Sequence, residues 1–178
     1  MQYGNKKSTT LRLTLTAVLM AMNIAVCSFG IPVPGGHLYL CDVVITLAAI
    51  LLNPLEAFVV GGIGAFLGDL IFYPLPMFVS LAVHGLQAVV ISLISHHAFP
   101  NRPRLASGIG VAAGAVIMVT GYFFGKAFVY STLAYAVIKL PYEIAQAALG
   151  AVLGMVLCWN LGIHSLFNRT LARFRVSP

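Results

Sequence analysis

Residues 41–72 read CDVVITLAAILLNPLEAFVVGGIGAFLGDLIF. Two apolar runs meet at Asn53-Pro54. Proline cannot continue a helix but suits the first position of a new one, and an acid in the opening turn, here Glu56, complements the helix dipole. The stretch therefore reads as a short helix over about 41–53 followed by a longer one over about 54–72. The second is close to the roughly 20 residues that a membrane helix needs.

The rest of the chain repeats the pattern. Of 178 residues 60% are apolar and 8% charged. A water-soluble domain carries about 25% charged residues, so a soluble globule is excluded. Disorder, which needs low hydrophobicity and high charge, is excluded too. An all-α integral membrane protein remains. Gly30 to Gly36, with two prolines and three glycines, closes a first span over about 11–29. That first span is too long for a signal-peptide core, so it reads as a retained helix. Tyr73-Pro74-Leu75-Pro76 ends the third span, and further spans follow over about 77–97, 105–127 and 139–162. The expectation is one membrane domain over 1–178 with six transmembrane helices, an apolar loop at 30–40, a less regular segment at 128–138 and a basic tail.

Positive charge sets the orientation, because cytoplasmic loops hold the excess of Lys and Arg. With six spans and both termini in the cytoplasm, Lys6, Lys7, Arg12, Arg102, Arg104, Arg169, Arg173 and Arg175 lie inside. Lys126 and Lys139 lie outside. The net charge of +6 is then a topology signal, and nucleic acid is not expected as a partner.

Polar residues within spans are costly and face a cavity or a partner. Asp42, Asp69 and Glu143 fall near the external ends of the second, third and sixth spans. His84 and Gln87 are one turn apart in the fourth, Tyr122 and Lys126 in the fifth. Lys139, Glu143 and Gln146 share one face of the sixth. These residues predict a polar cavity open to the outside and lidded by the 30–40 loop, with His37, Tyr39 and Tyr130 contributing. Asp42 equally suits a helix cap, Lys139 and Glu143 a surface pair, and Lys126 a side chain reaching for headgroups. Small residues recur at four-residue spacing, as Gly64/Gly68, Gly110/Gly114 and Gly150/Gly154, which lets helices approach closely in lipid. Ala17, Ala21 and Ala25 do the same on the first span and suit either packing or docking of another membrane protein.

Catalytic patterns are missing. There is no H-E-x-x-H and no G-x-S-x-G. Cys27, Cys41 and Cys158 form no C-x-x-C pair, so neither a metal nor a redox motif is expected. Gly121 to Lys126 is one residue short of a phosphate loop, and Ala127 replaces its Ser or Thr. Uphill transport would need energy from partner subunits or an ion gradient.

Residues 36–54 (GHLYLCDVVITLAAILLNP) and 61–69 (GGIGAFLGD), with His84-Gly-Leu-Gln87, Pro141-Tyr-Glu-Ile-Ala-Gln146 and the two AxxxA steps, resemble the substrate-binding S components of energy-coupling factor (ECF) vitamin transporters, of the riboflavin type. Cys41, His84 and Glu143 depart from the residues usual at the matching positions. The resemblance implies a six-helix bundle that captures a vitamin from outside and has no cofactor or catalytic role. It also implies partners, namely an energy-coupling transmembrane subunit and two cytoplasmic ATPase subunits that dock through Ala17, Ala21 and Ala25. The substrate-binding set is then His84, Gln87, Tyr122, Lys126, Glu143, Gln146, Asp69, Tyr39 and His37. A small heterocycle bearing hydroxymethyl groups suits that mixture of charges and amides, pyridoxine first and hydroxymethylpyrimidine second. An autonomous ion-coupled carrier, with Asp69 or Glu143 as the coupling carboxylate, is the rival expectation.

Overall fold

The computed structural model describes the backbone of residues 2–176 and the side chains of residues 9–173. Helix α1 spans Gln2–Cys27. A two-stranded antiparallel hairpin follows, β1 Ile31–Val33 and β2 Gly36–Leu38, with Pro32 opposite His37. Then come α2 Cys41–Leu51, α3 Pro54–Phe72 and α4 Met77–His97. After them lie α5 Pro103–Tyr130, α6 Leu133–Asn160 and the terminal α7 Ile163–Val176.

Five helices (α1 from Thr9, and α3 to α6) are long and apolar enough to cross a membrane. The sixth expected span, α2, is a shorter apolar helix. Eleven residues at 1.5 Å each reach only about 17 Å. Its shortness is tolerable because α2 is the hub of the bundle and needs no contact with lipid. Every residue from Cys41 to Leu51 except Val43 is buried, and α1, α3, α4 and α6 pack around it. Because it stops short, space is left above its first turn.

Several boundaries differ from expectation. The 30–40 loop holds the hairpin, whose Pro34-Gly35 tip suits a type II turn with Gly35 at φ +83°. The segment 128–138 is mostly helical: α5 runs to Tyr130 through a widened turn at Lys126–Tyr130, and α6 begins at Leu133, not 139. Thr132 caps α6 by accepting from the Tyr135 amide, and Pro141 sits in the helix beyond the cap. The basic tail is the helix α7, packed against α1. The side chains of Lys6, Lys7 and Arg175, used for the orientation, lie outside the described residues.

The small residues act as packing faces. A Cβ on Gly64 or Gly68 would strike Asn23 or Cys27 of α1, and one on Gly110 or Gly114 would strike Ile91 of α4. Gly150 and Gly154 let α6 lie directly on Asp42 and Thr46 of α2. At the other end of the bundle Arg12 clasps Glu56 with two bonds, 3.1 and 2.8 Å. Glu56 also completes a capping box with Asn53, satisfying the start of α3.

Candidate functional site

Above the first turn of α2 the helices separate into a chamber walled by α1, α3, α4, α5 and α6 and roofed by the hairpin. His84, Tyr122, Lys126, Glu143, Gln146, Asp69, Tyr39 and His37 all line it. Residues from five separate stretches of sequence therefore share one wall. Gln87 does not reach the wall and stands behind His84.

The floor is a continuous chain of hydrogen bonds. Asp42, 1% exposed, accepts from Gln87 Nε2 at 2.9 Å and from Gln146 Nε2 at 2.7 Å. Both carboxylate oxygens are thus satisfied by amides from α4 and α6, and Asp42 is neither a cap nor a wall residue. Gln87 Oε1 can only accept, so the His84 ring donates to it from Nδ1 at 2.7 Å. That fixes the proton on Nδ1 and turns Nε2 towards Cys41 Sγ, 4.0 Å away. Gln146 Oε1 accepts from the Tyr39 amide at 2.9 Å, which ties the end of the hairpin to the same chain. A buried carboxylate persists only when its lone pairs are filled, and this network fills them.

One side wall is Tyr122 and Asp69, linked through Ser80. Ser80 has one proton and gives it to Asp69 Oδ2, so it must accept from the Tyr122 hydroxyl at 2.5 Å. The Tyr122 and His84 rings lie 5.2 Å apart, tilted. On the opposite side Lys139 Nζ approaches Glu143 Oε1 to 2.7 Å. Beyond this ion pair the two buried Glu143 oxygens have no hydrogen-bond partner. This pair is internal and not a surface pair. Lys126 is also internal: it donates to Gly35 O at the hairpin tip at 3.0 Å and lies over the Tyr130 ring. His37 Nδ1 is buried without a partner, between Tyr39 and Tyr73. Burial, reinforced by the Asp69 charge, raises the Tyr39 hydroxyl above the ordinary phenol range, so it stays neutral.

Tyr73, Cys27 and Cys41 are wall residues that sequence reasoning missed; it also missed Ser80, which stands behind the wall bonded to Asp69 and Tyr122. Ser80 carries a signal, since it stands four residues before His84 and thus on the same face of α4. Tyr73, in the turn after α3, carries none. Cys41, Asp42 and His84 place three metal-capable atoms within 4.8 Å of one another, but Asp42 and the His84 Nδ1 are already committed to amides.

The space enclosed is small, about 30 Å³ for the centre of a water molecule. A more open cleft of about 300 Å³ adjoins it and shares Gly36, Tyr73, Lys126 and Tyr130.

The model of the family described as ECF-type riboflavin transporter, S component, matches residues 7–162. The thiamine precursor transporter HmpT of Lactococcus lactis subsp. cremoris (strain MG1363) is 32% identical over 151 residues, 82% of this chain and 84% of that protein. A Pyrococcus woesei protein, described only as an uncharacterized protein in a gap 3' region, is 31% identical over 136 residues, 75% of this chain and 89% of its own length.

Proposed function

The chain belongs to the S components of ECF-type riboflavin transporters, a family of membrane proteins, and from that premise we propose that it captures a small water-soluble vitamin or vitamin precursor in the hairpin-roofed chamber. Energy comes from an energy-coupling transmembrane subunit and two ATPase subunits. Both termini lie in the cytoplasm and the chamber faces out. The site residues are Asp69, His84, Tyr122, Lys126, Glu143 and Gln146, with Tyr39 and His37 from the hairpin side and Gln87 holding His84 in place.

The observation that carries this reading is Glu143, whose buried Oε2 has no hydrogen-bond donor and whose Oε1 faces only the Lys139 ammonium at 2.7 Å. A buried acceptor of that kind loses about 1–3 kcal/mol until a donor arrives. An amino group or hydroxyl on a flat heterocycle supplies one, while Tyr122 and Tyr130 offer ring faces. Between the two substrates expected from sequence, hydroxymethylpyrimidine now takes precedence over pyridoxine. Its amino group suits a carboxylate, and a relative 32% identical is named a thiamine precursor transporter.

Calorimetric titration of the purified protein with hydroxymethylpyrimidine, pyridoxine, thiamine and riboflavin tests the proposal. Saturable binding of hydroxymethylpyrimidine, tighter than the other three, is expected. Binding of none of the four would end it. Uptake by the protein alone in liposomes under a proton gradient would transfer the site to an ion-coupled carrier, with Asp69 or Glu143 as the coupling group.

A further inference from the structure

A second polar cavity lies at the end of the bundle away from the chamber. It is formed where α4 ends, α5 begins and α6 gives way to α7. It offers about 190 Å³ to the centre of a water molecule, more than the vitamin chamber does. Two buried polar atoms, Ser95 Oγ and Trp159 Nε1, belong to residues of its lining and have no hydrogen-bond partner. The indole nitrogen is a donor only, so it can be satisfied by an acceptor and by nothing else.

The permanent charge beside it is positive: the Arg104 guanidinium lies 5.6 Å from the centre of the Trp159 ring. His96 and His164 line the cavity, and the His164 ring lies 4.3 Å from the indole. Among the described residues lining the cavity there is no carboxylate. Of the chain's four acids, Asp42, Asp69 and Glu143 belong to the vitamin chamber or its floor, and Glu56 is bound by Arg12. Burial first, and the neighbouring His96 second, lower the proton affinity of His164, so it brings a ring nitrogen and not a fixed charge to the cavity.

We propose that this cavity is a binding site for a phosphate-type anion, held by Trp159 Nε1 and Ser95 Oγ of the lining and by Arg104 beside the indole. Unpaired donors next to a guanidinium, with no carboxylate in the lining, define the ligand as a multiply accepting oxyanion. A lipid phosphate and free phosphate share that chemistry, and the experiment separates them.

Trp159 is the chain's single tryptophan, so emission excited beyond the tyrosine absorption band reads this cavity. The purified full chain is titrated in neutral detergent with inorganic phosphate, with chloride at matched ionic strength as the control. It is also reconstituted into vesicles of phosphatidylcholine with and without phosphatidylglycerol. A saturable change in Trp159 emission with phosphate but not chloride assigns a free anion. A change only with phosphatidylglycerol assigns a lipid headgroup. In either case Arg104→Gln weakens the responding interaction about tenfold, Ser95→Ala weakens it less, and Arg104→Lys retains most of it. Circular dichroism of each variant verifies the fold. No specific response to either probe, or an undiminished response in the Arg104→Gln and Ser95→Ala variants together, overturns the proposal.

Discussion

Asp42 shows how much one buried acid depends on its neighbours. Its two oxygens are each filled by a glutamine amide, so replacing one oxygen by NH₂ sets donor against donor. Asp42→Asn is expected to lower stability by about 1–3 kcal/mol, visible as a lower Tm for the detergent-solubilised protein. An unchanged Tm would mean that the amides find other acceptors. Glu143 behaves differently, because Oε2 has no donor while Oε1 faces Lys139 at 2.7 Å. Glu143→Gln keeps the shape but leaves the buried Lys139 charge unpaired, so it is expected to lower Tm and to weaken vitamin binding about tenfold or more. Calorimetry on the variant decides this, and full affinity would remove Glu143 from the site. The sequence marked both acids as exceptional, since charge inside an apolar span is rare. It left Asp42 open between cap and cavity, because the deciding partners, Gln87 and Gln146, are 45 and 104 residues away.

At the scale of elements, apolar run length and proline placement located the helices well, and the breaks at Asn53-Pro54 and Tyr73 to Pro76 became real turns. The hairpin was not legible. Ile31-Pro32-Val33 and Gly36-His37-Leu38 are three residues each, too short for alternation to stand out, and their pairing is stabilised from outside by Lys126 and Gln146. The start of α6 was also obscured, since the Thr132 cap is a single hydroxyl and Pro141 argues against helix nearby. The hairpin closes the chamber through its tip, where Gly35 has φ +83° and a Cβ would stand 3.0 Å from Lys139 Cβ. Gly35→Ala therefore strains the turn by about 1–3 kcal/mol and shifts the roof. It is expected to reduce vitamin affinity about tenfold while helix content by circular dichroism stays constant. Unaltered affinity would show that the roof does not shape the bound state.

On the scale of the whole molecule, the arrangement separates two tasks. The proposed capture site uses polar groups near one end, and the outer face of α1 is left plain. Ala17, Ala21 and Ala25 are all exposed, whereas Thr16, Asn23 and Cys27 of the same helix turn into the bundle. The alanine spacing alone fitted packing and docking equally. Their exposure takes them out of the packing within this bundle, where Gly64 and Gly68 are covered by the opposite side of α1, and leaves lipid or a docking helix as the neighbour. Three small side chains one turn apart form a shallow groove into which another helix can settle at close range. Leucine at the middle position fills that groove and overpacks the contact by about 1–3 kcal/mol. Ala21→Leu is therefore expected to reduce copurification with the energy-coupling subunit about tenfold and to leave vitamin binding by the isolated protein unchanged, since Ala21 touches neither the chamber nor its floor. Both readouts are needed. Loss of the two together would mean that the substitution damages the bundle, and retention of copurification would move the docking surface off α1.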